Sequence, residues 1–361
     1  MTESRLGRWG RAELRSPRSL LVILIVVLFG TFAALKPMFL NGPFSIAPLM
    51  TTISIFTVVG LSQMMVLSVG HMNLAVGQLA GVSSLVMGAC FQNLKLPLLP
   101  GLAIGLVVGA ALGGLAGWII AQTGVNSFIV TLAMNFTLLG LIPTLYSSWS
   151  TGQAFTVQPP GFAELGTGTF ADICWRDTCG STAVPLLVIP ALVCMALVGY
   201  FYSSTRIGRE TLMTGSNIHA AELSGVPTKR RLILVHAASG LLAAVAGFML
   251  AASTGSFTPA IGSEFMLPSF LGPILGGTLL AGGAVSVIGT FLGITLTSVI
   301  RNGLLLFQVG IEALNVLLGA ILLAALATDR VRLLLAKRRP PKAEESIATL
   351  AVELQDAEGN R

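Results

Sequence analysis

The residues best suited to bind a small polar molecule are amides and hydroxyls that lie inside otherwise apolar stretches. Asn73 follows Gly70-His71-Met72 and precedes an apolar run. Its amide offers donors and an acceptor to solute hydroxyls, or it caps the helix that begins there. Hydrogen bonds between helices explain the other polar residues at least as well as a solute path does. The candidate path residues are Gln63, Asn73, Asn126, Phe128, Thr131 and Asn135.

Sequence patterns for bond-making chemistry are absent. There is no Gly-x-x-x-x-Gly-Lys-Ser/Thr loop, no His-Glu-x-x-His, no second cysteine pair with zinc spacing and no Gly-x-Ser-x-Gly elbow. No predicted span holds Asp or Glu in its interior, whereas carriers coupled to protons or sodium usually contain a buried carboxylate. We therefore expect a protein that is not an enzyme, with no catalytic residue, no metal site and no cofactor bound by this chain.

Composition places most of the chain in a lipid bilayer. Hydrophobic residues make up 54% of the sequence and charged residues 10%, whereas about a quarter of a soluble domain is charged. No charged residue lies between Lys36 and Lys95, or between Lys95 and Glu164, so each gap holds two or more spans of about 20 residues. We expect an all-α polytopic membrane protein of about ten transmembrane helices, near residues 19–35, 45–69, 73–92, 98–121, 126–148, 183–203, 232–254, 265–283, 286–306 and 310–327.

Basic residues predict how these spans are oriented. Lys and Arg concentrate at the N-terminus, in the loop 204–231 and after Arg330, and such clusters favour the cytoplasmic side. Ten spans put all three clusters on one side, with both termini cytoplasmic. The predicted parts are a cytoplasmic segment 1–18, a transmembrane domain 19–330 with a periplasmic loop 150–182, and a cytoplasmic tail 331–361. Such a chain is a multi-pass protein of a bacterial inner (cytoplasmic) membrane.

Two of the four cysteines lie in the predicted periplasmic loop. Cys174 and Cys179 are in an environment where disulfides persist, and we expect a bridge between them; the alternative is two free thiols. A zinc site is disfavoured because partner ligands are missing nearby. Cys90 and Cys194 fall inside predicted spans and are interpreted as small apolar residues.

The loop 204–231 contains a predicted short helix. Asn217 can cap a helix that continues through Leu223, with Gly225 at its end and Pro227 preventing continuation. A helix of one or two turns is marginal in water because nucleation is costly. It therefore needs a partner surface.

At this loop the sequence resembles the ribose-type family of ABC importer permeases. The matching stretches are Thr205-Arg-Ile-Gly-Arg209, Thr214-Gly-Ser-Asn217, Ala220-Ala-Glu-Leu-Ser-Gly-Val226, Asn126-Ser-Phe-Ile-Val-Thr-Leu132, Ser239-Gly-Leu-Leu-Ala-Ala-Val-Ala-Gly247, Leu275-Gly-Gly-Thr-Leu-Leu-Ala-Gly-Gly283 and Asn302-Gly-Leu304. They occur in the family's order and cover most of the chain from about residue 50 to 332.

The resemblance implies a role in transport and a set of partners. In that family the loop forms a coupling helix that docks in a cleft of the ATPase, which here assigns coupling to Arg209, Asn217, Ala220, Ala221, Glu222, Ser224 and Gly225. The implied partners are a cytosolic ABC ATPase that binds ATP and Mg²⁺, a periplasmic substrate-binding protein, a second permease copy or paralogue, and membrane lipid; no nucleic acid is expected. The solute would be a sugar, polyol or similar small polar molecule. The alternative is a secondary carrier or channel that works without an ATPase.

Two places depart from the family pattern. The family usually has Asp-Leu-Ser-Val-Gly where this chain has Asn73-Leu-Ala-Val-Gly77, and an apolar run where Gly272-Pro-Ile-Leu-Gly-Gly277 stands. The predicted eighth span is also rich in Pro and Gly, which indicates an irregular backbone that lines a path or a close helix contact. Arg301, near the end of the ninth span, either extends to the membrane interface or contacts a binding protein or an anionic group.

Overall fold

Helices form nearly all of the regular structure. The computed structural model describes residues 17–337 except 41–44, 151, 153, 171–173, 176–177 and 180–183. The chain divides into two units, Met1–Leu318 and Gly319–Arg361. The elements are α1 Pro17–Leu35, a 3₁₀ turn Pro37–Leu40, α2 Ala47–Leu67, α3 Val76–Gln92, α4 Leu98–Thr123, α5 Ser127–Trp149, α6 Phe162–Thr167, β1 Cys174–Trp175, β2 Thr178–Cys179, α7 Val188–Ser204, α8 Arg206–Ser216, α9 Ile218–Leu223, α10 Thr228–Thr254, α11 Met266–Leu275, α12 Val287–Leu306 and α13 Ile311–Lys337.

The predicted spans have helical counterparts, although fewer helices satisfy strict spanning criteria. In the described part of the chain, five helices are long and apolar enough to cross a membrane: α2, α4, α5, α10 and α12. A sixth arises if α7 and α8, which meet at a bend of 75°, count as one span. Shorter apolar helices coincide with α1, α3, α11 and part of α13. The protein is therefore a polytopic helical membrane protein, while the number of ten crossings remains a prediction.

Three local features differ from the sequence prediction. The predicted all-α fold is confirmed, with one local exception: the two-residue strands β1 and β2 pair antiparallel. The segment predicted as a loop with one short helix contains a second helix, α8; its Thr, Gly and Ser residues are weak helix formers, so packing rather than propensity stabilises it. Helix α13 continues to Lys337, so the tail predicted from residue 331 begins within a helix.

Helices α2 and α10 form the centre of the first unit. Most residues of both are buried, and apolar residues surround each helix rather than forming one stripe, which is typical of a buried or membrane-embedded helix. Helix α5, in contrast, buries only one narrow face, and Phe136 and Leu139 are exposed. Its outer face is therefore available to lipid.

Small residues allow α4 and α10 to approach closely. A methyl group at Gly113 would collide with the carbonyl of His236, and one at Gly240 would collide with that of Gly109. Such backbone contacts are characteristic of membrane helices, whose packing depends on close approach. The α4 glycines in this stripe recur at every fourth position: Gly101, Gly105, Gly109, Gly113 and Gly117.

Irregular backbone interrupts the bundle at 68–75, before α3, and at 276–286, within the predicted eighth span, where the sequence indicated it. The breaks touch each other and α8 through the main chain: Gly283 N–H donates to Ser68 O at 2.9 Å, and a methyl group at Gly215 would collide with that same carbonyl. A third irregular stretch, 255–265, crosses the start of α3 where Gly77 meets Gly262.

Candidate functional site

The predicted short helix is present as α9, with the predicted cap. Asn217 Oδ1 accepts a hydrogen bond from Ala220 N at 3.0 Å, which satisfies a first-turn donor. After α9, Gly225 has φ +77°, a left-handed conformation that costs other residues energy. The local prediction for residues 217–225 is confirmed. We call residues 204–231 the docking segment.

The residues to which the sequence assigned coupling take up different positions in the docking segment. Ala221 is 2% exposed and packs inward, whereas Arg209 is exposed and donates to Ser204 O at 3.4 Å. Glu222 accepts from Thr228 Oγ1 at 2.9 Å, and Ser224 Oγ donates to Ala220 O at 2.8 Å. These bonds connect α9 to itself and to the first residue of α10.

Sequence reasoning missed Glu210, which joins α8 to α10. Arg206 Nε donates to Glu210 Oε1 at 2.7 Å, and Arg231 binds Glu210 Oε2 through NH2 at 2.6 Å and through Nε at 2.8 Å. The Arg206 and Arg231 hydrogen bonds hold the pKa of the Glu210 carboxyl below its ordinary value of 4.5. The i,i+4 spacing of Arg206 and Glu210 is a sequence signal for this pair, but Arg231 comes from another helix.

The docking segment also exposes apolar side chains that the sequence analysis did not select. Leu223 is 91% exposed, Met213 46% and Ile218 39%. A leucine so exposed on a short capped helix is not explained by packing within this unit. Together with Met213 and Ile218 it leaves apolar surface on this segment that a partner can cover.

Asn73 and Gln63 lie in a buried network, together with Ser62 and Ser239; each of the four is at most 2% exposed. We assign the Gln63 amide the orientation that matches donors with acceptors. In it the nitrogen donates to Asn73 O at 2.8 Å and the oxygen accepts from Asn73 N at 3.2 Å. Asn73 Nδ2 donates to Ser239 Oγ at 3.0 Å, while Asn73 Oδ1 accepts from Ala75 N at 3.0 Å. The side chains thus satisfy the backbone of the break at 68–75, as irregular backbone in a membrane requires.

Helix α5 supplies two more partners to the same break. Met72 N donates to Ser127 Oγ at 3.1 Å and Leu74 N to Thr131 Oγ1 at 3.2 Å. Asn126 instead caps α5, with Oδ1 accepting from Phe128 N at 2.9 Å. The remaining candidates are spread out: Phe128 is 46% exposed and Asn135 is half-buried. The six path candidates therefore do not converge on one cavity in the described residues.

A cavity of about 470 Å³ lies elsewhere, between the first turns of α2, the last turns of α10 and α12, and the stretch 260–265. Arg301 NH2 donates to Glu264 Oε2 at 2.7 Å, and the guanidinium carbon lies 5.7 Å from the centre of the Phe56 ring. Arg301 is thus paired with a carboxylate of this chain, whereas the sequence analysis considered the membrane interface, a binding protein or an anionic group. The sequence signal for this pairing is weak, since the two residues are 37 positions apart.

The structure describes Cys174 and Cys179 only through their backbone positions. The register of β1 and β2 places Cys174 opposite Cys179, and the bridge between them remains a prediction. Cys90 and Cys194 are buried free thiols, which confirms their interpretation as core residues. Within the described residues, no three His, Cys, Asp or Glu side chains form a group that could hold a metal ion.

Comparison with known proteins identifies the family. Residues 45–326 match the family described as "Branched-chain amino acid transport system / permease component". The L-arabinose ABC transporter permease protein AraH of Azospirillum brasilense is 30% identical over 87% of this chain and 88% of its own length. The ribose import permease protein RbsC of Escherichia coli K12 is 29% identical over 91% and 98%, and the xylose transport system permease protein XylH of the same strain 28% over 79% and 84%.

No solved structure shows a significant match. The relatives are named as transport subunits and not as enzymes, in agreement with the sequence prediction. Because the family match covers most of the sequence, the chain belongs to this family of transport-system permease components, in which it resembles the sugar ABC permeases.

Proposed function

We propose that this chain is the membrane-spanning permease of a binding-protein-dependent ABC importer for a sugar, polyol or similar small polar solute. The family and the relatives' names support a sugar permease. The finer proposal adds about ten spans in a bacterial inner membrane, both termini in the cytoplasm, and a pair of permeases formed by two copies or by a paralogue. The basic residues of the docking segment support its cytoplasmic placement.

The observation that carries the proposal is an exposed leucine at the end of the short helix in the docking segment. Leu223, at 91% exposure, lies at the end of α9, where Asn217 and Gly225 fix both ends of a helix too short to be stable alone. Burial of a leucine side chain against a partner contributes about 1.5–3 kcal/mol. A cleft in a cytosolic ATPase, which binds ATP and Mg²⁺ itself, is the partner that matches this geometry.

The docking segment is also braced so that it can transmit movement. Glu210 joins α8 to Arg231 of α10, and Glu222 joins α9 to Thr228 at the start of α10. Closure of the ATPase pair on ATP would bias the permease toward one of two access states, because a partner shifts a conformational equilibrium by its differential affinity for the two states. The permease itself makes and breaks no covalent bond.

The test is Leu223→Asp in the full importer, with Leu94→Asp as the matched control. Leu94 is also exposed, at 65%, but lies between α3 and α4, away from the docking segment. Loss of the buried leucine should weaken ATPase binding by about 10- to 100-fold, measured by co-purification and by uptake of labelled L-arabinose, D-ribose and D-xylose. Leu94→Asp should retain both ATPase co-purification and sugar uptake.

The carrier or channel alternative makes the opposite prediction. A carrier purifies without an ATPase and transports solute into vesicles that lack one. Undiminished uptake and co-purification in Leu223→Asp would contradict the proposed docking role, and uptake without the ATPase would favour the alternative.

A further inference from the structure

The cavity near Arg301 combines an aromatic face with a ring of hydrogen-bonding groups. Phe56 contributes the face, packing edge-on against Phe265 with ring centres 5.8 Å apart. The polar groups around it include those of Thr51, Glu264, Ser298, Arg301 and Asn302. A volume of about 470 Å³ lies within the range of roughly 300–1,000 Å³ that is usual for small-molecule sites.

The charges of the cavity cancel. Glu264 and Arg301 are the charged residues among those that line it, and they bind each other. An anion or a cation would therefore meet its opposite charge already paired, which argues against a charged solute. The pair engages one guanidinium nitrogen and one carboxylate oxygen, so further donors of Arg301 and an oxygen of Glu264 remain to bind hydroxyl groups.

The ion pair is also accessible to solvent. The Glu264 side chain is 60% exposed and that of Arg301 24%. Arg301 stays near the Phe56 ring because a cation is attracted to the face of an aromatic ring. A solute entering here would therefore contact both the polar groups of the Glu264–Arg301 pair and the apolar Phe56 ring.

The cavity and the docking segment lie toward opposite ends of α10. Thr228 begins α10 beside the docking segment, whereas Leu250 and Ser253 line the cavity. The 22 residues between Thr228 and Leu250 span roughly 33 Å at 1.5 Å per residue. If the docking segment is cytoplasmic, the cavity opens toward the side from which a binding protein delivers solute.

We propose that this cavity binds the neutral, polyhydroxylated solute on the delivery side of the permease. Its hydroxyls bond to Glu264, Arg301 and Asn302, and its apolar carbons pack beside the Phe56 ring. This assignment rests on the proposed function, because it takes the docking segment as cytoplasmic and the transported molecule as a small polar solute.

A cysteine placed in the cavity tests the proposal directly. The variant is Thr51→Cys in a chain lacking Cys174 and Cys179, since Cys90 and Cys194 are buried. The full importer is reconstituted in vesicles and treated from the binding-protein side with a membrane-impermeant maleimide. We expect labelling that the sugar transported best in the uptake assay slows at least threefold. Leu94→Cys in the same background should be labelled at a rate that the sugar does not change.

A second variant keeps the test independent of one label. Glu264→Gln combined with Arg301→Gln removes the pair without leaving an unpaired charge, and should lower the transport rate at least tenfold while ATPase co-purification is unchanged. Wild-type sugar uptake in this double variant, or a Thr51→Cys thiol that the sugar fails to protect, would overturn the cavity proposal while the importer assignment stands. If the importer without these substitutions took up none of the tested sugars, that result would instead count against the proposed function.

Discussion

The buried network around Asn73 and the cavity around Arg301 are both polar regions within an apolar helical unit, but they differ in what satisfies their polar groups. In the network, Gln63 and Ser239 are fully buried and bond to the segment 68–75. In the cavity, Glu264 is mostly exposed and holds Arg301 by one bond. Polar residues in a span therefore indicate a path only where protein groups leave bonding capacity unused. The network hydrogen-bonds to the irregular backbone at 68–75, while the cavity has hydrogen-bonding groups that are open to a solute.

The largest expected effect comes from breaking the network with Gln63→Leu. The change keeps the approximate size of the side chain but leaves the Asn73 N–H and C=O without their partner. Each unsatisfied buried group costs about 1–3 kcal/mol, so we expect a clear loss of thermal stability of the purified protein. Gln122→Leu, at an exposed position near the end of α4, is the control and should leave the melting temperature unchanged. An equal melting temperature in Gln63→Leu would show that the network is not closed.

The next effect concerns the junction between the two regions. A methyl group at Gly77 would collide with the carbonyl of Gly262, two residues before Glu264. Gly77→Ala should therefore destabilise the protein by about 1–3 kcal/mol through overpacking and displace the cavity stretch 260–265. Gly140→Ala, where no atom lies within 4 Å, is the matched control. If both substitutions unfold at the wild-type temperature, the two regions are not in rigid contact.

Glu210 extends the comparison to charged side chains. Its carboxylate is bound by two arginines, whereas that of Glu264 is mostly exposed. Its folded pKa lies below 4.5, so its stabilising contribution is present above the unfolded pKa and is lost as pH falls through the lowered folded pKa. The stability difference between wild type and Glu210→Gln should be largest near neutral pH and shrink in acid. A melting series across pH measures it, and a difference that is constant with pH would exclude ionisation as the cause.

The smallest effect on stability is expected inside the cavity itself. Thr51 is half-buried and lines the cavity, so Thr51→Val should change stability by less than about 0.5 kcal/mol. Thr131→Val removes the hydroxyl that accepts from Leu74 N and should cost about 1–3 kcal/mol. Thermal unfolding of the two variants side by side compares open and closed polar positions, and equal losses would remove the distinction.

Local signals in the sequence were sufficient for the parts of the molecule that are formed locally. The cap of α9 and its glycine stop follow from residues a few positions apart, and the membrane class follows from composition. The pairs that define the network and the cavity could not be predicted in this way. Asn73 meets Ser239 across 166 positions and Arg301 meets Glu264 across 37, and no local pattern specifies which helix end faces which.

The same reasoning explains the mixed outcome at individual site residues. Polarity selected Asn73 and Gln63 for the path, although their bonding groups engage the protein. Leu223 was not selected as a site residue, because the sequence does not specify which side of a short helix is covered; in the structure its side chain is exposed. The roles of the docking and path residues in transport remain predictions.

The contact of Gly215 with Ser68 and Gly283 has a mechanical consequence. At this point Gly215 of α8 meets both breaks in the bundle through main-chain atoms, and the Ser216 side chain also lies against Gly283. A side chain in such a position could change rotamer and absorb a small displacement. No side chain lies between Gly215 and the two breaks, so a displacement of α8 must either move both breaks with it or stretch the hydrogen bond from Gly283 to Ser68. Gly215 and Gly283 thus couple α8 rigidly to the two breaks.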